Sequence, residues 1–271
     1  MKIFISADIE GISGVVNKTH TMPQGHDYHM ARTLMTNEVN AAIEGALEAG
    51  ATEIVVNDSH GRMTNILLES LNPNAQLITG SPKKLGMMEG IDDSYDAALL
   101  IGYHARMNTP GVLSHSYHGG AISNISINGK NAGEFFINAS VAGFYNVPVI
   151  VVSGDNILAE EVKEVDGNIE TVVVKTAHAR LTAKCLHPTV VHKAIKETVK
   201  NAILSSKVNP ISLDGAIEME VTFLNSGMAE MAAIMPKTEF LGGSKVGYRG
   251  KDIIEAYRAL ICMYNLANVV I

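Results

Sequence analysis

Two short β-branched runs with a helix between them set the architecture of this chain. Residues 1–7 (MKIFISA) and 53–57 (EIVVN) read as buried strands. Between them Met35, Val39, Ala42, Ile43, Ala46 and Leu47 recur at helical spacing, and Gly50 stands where a helix C′ glycine belongs. Two strands of one sheet joined by a helix run parallel, with a right-handed crossover. Residues 75–79, 97–103 (AALLIGY) and 147–152 (VPVIVV) continue the strand pattern. The predicted fold class is therefore α/β, with a mostly parallel sheet and flanking helices in the N-terminal domain.

Asp166-Gly167-Asn168 interrupts the pattern, which places a catalytic α/β domain at 1–166 and a smaller α/β C-terminal domain at 167–271. The latter is expected to hold a strand at 170–175, an amphipathic helix at 188–204, an alternating strand at 216–224 and a final helix at 251–267. Asn65 to Leu71 is expected to form a short helix capped by Thr64.

Ligands of open parallel sheets collect at the carboxyl ends of the strands. The first run ends in Asp8-Ile9-Glu10-Gly11, and alternation sends Asp8 and Glu10 to the same side. Paired carboxylates are costly to bury without a cation or a proton. The second run ends in Asn57-Asp58-Ser59-His60, and the run at 97–103 ends in His104. One strand-end histidine is ordinarily a hydrogen-bonded structural residue. Three strands ending in such groups on one edge make a constellation. Glu134, opening a predicted helix after Gly133, is unremarkable alone but supplies a further carboxylate.

Carboxylates with imidazoles and no thiolate suit a catalytic zinc, manganese or cobalt site better than a closed structural zinc site. Asp8, Glu10, His60, His104 and Glu134 exceed what one open ion needs, so a bridging Asp8 could give two ions three ligands each. Such a pair shares a hydroxide with a pKa near ~7, able to attack a carbonyl. A neutral imidazole nearby would handle protons or the oxyanion, and His115, then His118, are the nearest in sequence.

Composition removes several alternatives. The net charge is −7 with no basic cluster, which speaks against nucleic acid or an acidic membrane as partner. No apolar run approaches ~18–20 residues, and the N-terminus lacks the features of a signal peptide, so a cytoplasmic location is expected. Cys185 and Cys262 show no disulfide or metal spacing and are expected in the core.

The ordered motifs carry a resemblance. Ser6-Ala7-Asp8-Ile9-Glu10-Gly11-Ile12-Ser13-Gly14, Val56-Asn57-Asp58-Ser59-His60, Gly102-Tyr103-His104-Ala105-Arg106, the stretch from Thr109 to Ser116 and Gly133-Glu134 are similar to the D-aminopeptidase family of self-compartmentalising dizinc peptidases. Asn225-Ser226-Gly227-Met228-Ala229-Glu230 and Met235-Pro236 extend the likeness over essentially the whole chain. The resemblance implies two zinc ions per subunit, one on Asp8, Glu10 and His104 and the other on Asp8, His60 and Glu134. It implies His115 as the catalytic residue, short peptides with N-terminal D-amino acids as substrates, and a homodecamer. The residues themselves leave open a dinuclear metallohydrolase for another small amide or a phosphoester, or a metal-binding protein without turnover. Segment 225–230, of this subunit or of a neighbouring one, is a further candidate for the substrate pocket.

Overall fold

The structure, a computed structural model, describes residues 1–205 and 207–270. Strand β1 (Lys2–Ala7) leads through a short helix, α1 (Lys18–Thr21), into the long helix α2 (Tyr28–Glu48), which returns the chain to β2 (Glu53–Asp58). Gly50, at φ +92°, closes α2 in the left-handed region that a side chain would resist. Next come β3 (Gln76–Ile78), β4 (Ala97–Ile101), the hairpin of β5 (Ile122–Ile127) and β6 (Lys130–Asn131), helix α3 (Glu134–Phe144), β7 (Val149–Asp155) and α4 (Asn156–Val165). Asp155 caps α4 by accepting from the Leu158 N–H at 2.9 Å. The rest comprises β8 (Glu170–Ala179), β9 (Thr182–Cys185), α5 (Pro188–Ser205), β10 (Ile217–Phe223), α6 (Ser226–Ala232), β11 (Thr238–Gly242), β12 (Lys245–Gly250) and α7 (Ile253–Ala267).

The main sheet has the order β3-β2-β1-β4-β7-β8-β9, parallel except for β9 at its edge. This is the mostly parallel α/β architecture that the buried runs predict. From β1 the chain builds outward to β2 on one side and to β4 on the other. The crevice beyond the carboxyl ends of β1 and β4 is therefore a topological switch point. Helices α2 and α5 pack together on one face of the sheet. The second sheet, β11-β12-β10-β5-β6, is antiparallel, and α6 and α7 cover it.

Three expectations are corrected, and the sheets run across the expected division at Asp166-Gly167: β8 continues the main sheet beside β7, while β5 and β6, from before the break, belong to the second sheet. The turn at 166–168 is only the link from α4 back into the same sheet. The helix expected after Thr64 shrinks to one 3₁₀ turn at Leu68–Ser70, and the Asp58 carboxylate, accepting from the N–H groups of Asn65 and Ile66 at 2.5 and 2.7 Å, fastens the preceding stretch to the end of β2. Both cysteines are exposed, Cys185 at the end of the edge strand β9 and Cys262 on the outer side of α7. Finally, Ile253–Val270 is long and apolar enough by length and composition to cross a membrane, yet Ala256, Tyr257, Leu260 and Met263 are buried in the core.

Candidate metal centre

Two loops carry the first residues of the site, and their backbones interlock. The Gly11 N–H donates to the Gly102 carbonyl at 2.7 Å, and the Asp8 N–H to the Ile101 carbonyl at 2.8 Å. A Cβ on Gly11 would sit 1.9 Å from the Tyr103 carbonyl oxygen. One on Gly102, at φ +73°, would sit 2.2 Å from the Asp8 carbonyl oxygen. No side chain fits between these strands' ends, so Asp8 and Glu10 from β1 and His104 from β4 are forced together. The loop after β2 is fastened separately. The Asp58 carboxylate also binds Asn65 Nδ2, and Asn65 Nδ2 donates to the His60 carbonyl, each at 2.7 Å.

The predicted residues meet in this crevice. His104 Nε2 lies 3.5 Å from Asp8 Oδ2 and 3.4 Å from Glu134 Oε2. His60 Nδ1 lies 3.4 Å from Asp8 Oδ1 and 2.9 Å from Glu10 Oε2. His115 stacks on His104, with ring centroids 4.1 Å apart, and its Nε2 is 3.8 Å from Glu134 Oε1. Among the described residues, two groups could each hold a cation: Asp8, Glu10 and His104, and His104, His115 and Glu134. The first coincides with one ligand set expected above. For the second set, His60 is aimed at Asp8 and Glu10 rather than at Glu134, and His115 closes on Glu134 instead.

The donor chemistry fits a metal. Each imidazole ties one nitrogen to a main-chain carbonyl: His60 Nε2 to Thr21 at 2.8 Å, His104 Nδ1 to Ala105 at 3.0 Å, and His115 Nδ1 to Leu113 at 2.9 Å. Because a carbonyl only accepts, the tied nitrogen carries the proton, and in the neutral ring the opposite nitrogen presents a lone pair. Metal-ligating histidines are oriented this way. Asp8 Oδ2 and His104 Nε2 are buried with no hydrogen-bond partner, and Glu10 Oε2 faces only His60 Nδ1. Ligand atoms about 2.0–2.1 Å from a tetrahedral zinc lie about 3.3 Å from one another, close to the separations between His104 and its two carboxylates.

The electrostatics agree. Burial and then Glu10 push Asp8 up to about 7. Burial opposes charge on His104, yet Glu134, Asp8 and Glu10 outweigh it and raise the ring to about 10. His60 is raised too, against its burial, chiefly by Glu10 and Asp8. This is a strongly negative field that positive charge must relieve. His115 behaves differently: burial and the neighbouring His104 hold it below its ordinary value.

A cavity of about 730 Å³ opens over Asp8, His60, His115 and Glu134. Met87, Tyr117, Tyr257, Ile261 and Tyr264 line one side of it, and Arg62 and Lys83 also border it. His118 lines this cavity beside Tyr264 but belongs to neither metal-type group. Segment 225–230 does not line the cavity of its own subunit, where the C-terminal part of the chain enters through α7.

The comparisons with known proteins bear on this arrangement. A sequence profile described as D-aminopeptidase matches residues 1–262. The chain belongs to the D-aminopeptidase family. It is 41% identical to the D-aminopeptidase of Bacillus subtilis (strain 168) over 269 residues, 98% of each chain. The solved structure of the Zn-dependent D-aminopeptidase DppA from Bacillus subtilis, a self-compartmentalizing protease, is likewise similar. It superimposes with a TM-score of 0.96 at 41% identity, covering 99% of this chain and 98% of the other.

Within this D-aminopeptidase fold, sequence reading missed the residues behind the site. Lys175 and Glu38 are buried against the loop that carries Glu10. The tyrosines of α7 read only as part of the final helix at 251–267. The one available signal was a lone charged residue inside an apolar run, VVVK for Lys175.

Proposed function

We propose that the chain is a zinc-dependent aminopeptidase that removes D-amino acids from the N-terminus of short peptides. The observation that carries this reading is a set of imidazoles, His104 buried and His60 and His115 partly so, each tethered at one nitrogen and aimed with the other at carboxylates that include an unpartnered oxygen. Asp8, Glu10 and His104 would hold one ion and Asp8, His60 and Glu134 the other, with Asp8 shared. Zinc bound there supplies Lewis acidity toward the scissile carbonyl and lowers the pKa of a water toward ~7.

The chain's own residues do the rest. The Tyr117 N–H donates to Glu134 Oε1 at 2.6 Å and fixes that carboxylate. His115 is held neutral, with Nδ1 tied back and Nε2 facing the centre. Nε2 can take a proton from the attacking water and deliver it to the leaving amine. The aromatic side of the cavity can receive an apolar side chain and exclude water from it. The preference for D residues follows the activity for which the Bacillus subtilis relative is named. By likeness to the self-compartmentalizing relative, the chain is proposed to form a homodecamer that admits only small peptides, in the cytoplasm, without a nucleic-acid or membrane partner.

The test is metal analysis of the purified protein together with hydrolysis of matched D- and L-alanyl amides. Zinc with D-selective turnover is expected. A protein without metal, or equal turnover of both enantiomers, overturns the proposal.

A further inference from the structure

Lys175, on β8, is 1% exposed, and its ammonium makes no ion pair among the described residues. Its three donors all go to one loop, to the carbonyls of Glu10 at 2.5 Å, Ile12 at 3.0 Å and Val15 at 2.6 Å. A buried cation without a carboxylate partner is costly, and an apolar side chain of similar length would fill the space more cheaply. What the ammonium supplies is geometry: three charge-assisted hydrogen bonds that draw separate carbonyls onto one point.

That loop lies outside the helices and strands and carries Glu10. Its other tethers act elsewhere along it. The Ser13 N–H donates to Glu38 Oε1 at 2.9 Å, Ser13 Oγ to the Leu186 carbonyl at 2.7 Å, and the Gly11 N–H to the Gly102 carbonyl. Lys175 alone among these grips the main chain of Glu10 itself. Asp8 follows directly from β1, and His104 and Glu134 have their own anchors. Glu10 depends on the loop for the direction of its carboxylate.

We propose that Lys175 is a positioning residue for the metal centre, setting the backbone at Glu10 so that its carboxylate completes the ion site shared with Asp8 and His104. The inference rests on the metal-centre reading above. Outer residues that orient ligands typically change metal affinity by about 10–100-fold. The site containing Glu10 should weaken by that factor in Lys175→Met, while the second ion is held as before.

The test is zinc titration of the metal-stripped full chain against a chromogenic chelator, with melting curves recorded in parallel. Ile195→Ala, in the core of α5, is the control for general destabilisation: it should lower the melting temperature and leave both zinc affinities unchanged. Lys175→Met should lose affinity at one site of two. Lys175→Arg keeps charge and bulk, so it serves if the methionine variant does not fold. Its planar fork cannot meet three carbonyls converging on one point, and the same selective loss is expected. Wild-type zinc affinity in either folded variant, or equal weakening in the Ile195→Ala control, overturns the assignment of Lys175 alone. A wild-type chain that takes up no zinc overturns the metal centre with it.

Discussion

Glu38 provides the clearest quantitative handle on this fold. It is 2% exposed, and burial pushes its pKa from 4.5 up to about 8, against the opposing effects of the Ser13 N–H and Lys175. Unfolded, the carboxyl returns to its ordinary range, so above that range the folded chain binds more protons at this position than the unfolded one. A group raised in this way costs nothing below the unfolded pKa, destabilises progressively as pH climbs, and levels off above the folded pKa. The slope is about 1.4 kcal/mol per pH unit, with a ceiling of about 5 kcal/mol for the whole shift. Glu38→Gln removes this titration and keeps an oxygen for the Ser13 N–H. Glu38 Oε2 has no hydrogen-bond partner, so the amide nitrogen placed there disrupts no existing bond. The stability difference between variant and wild type should therefore grow in favour of the variant by roughly 2–3 kcal/mol from pH 5.5 to 7.5. Denaturant unfolding at matched protein concentration across that range measures it, and the metal ligands titrate alike in both chains and cancel. Parallel stability curves would refute the reasoning.

Other perturbations reach the site more directly. His104→Ala removes the imidazole shared by both carboxylate contacts, so bound zinc and turnover should both fall by more than the about 10–100-fold typical of outer-shell changes; metal analysis and kcat/KM read this out. Gly102→Ala forces a side chain into a left-handed position against the Asp8 carbonyl, which should cost about 3 kcal/mol or more and lower the unfolding midpoint. Because burial and His104 depress His115, the acid limb of the kcat/KM profile should lie below pH ~6.5, the ordinary histidine value. An acid limb centred above pH 7 would contradict a neutral His115 acting as base.

How much of this was legible in the sequence depends on how far apart the partners lie along it. Strands β1, β2 and β4 are buried on both faces and read as apolar runs, and the ligand candidates follow them immediately. A constellation made of strand ends is thus visible once the strands are. Edge elements carry no such signal: β9 (TAKC) and β11 (TEFLG) are largely exposed and satisfy neither strand template cleanly. The course of the main sheet past residue 166 was hidden for a related reason. A polar turn such as Asp166-Gly167-Asn168 looks the same whether it ends a sheet or leads to its next strand, and only the pairing of β7 with β8 distinguishes them. The residues that brace the site were hidden because their chemistry is relational. Lys175 sits 165 positions from Glu10, and Glu38 sits 25 from Ser13, so neither has a local partner to give it away. The same separation gives these contacts their force. A loop held only by neighbours in sequence could keep its shape in many sheets, whereas this one also takes three hydrogen bonds from Lys175, which the docking of β8 beside β7 brings beneath it. Ligand geometry at Glu10 therefore reports on completion of the main sheet, and metal binding should stabilise the far edge strands as well as the crevice itself.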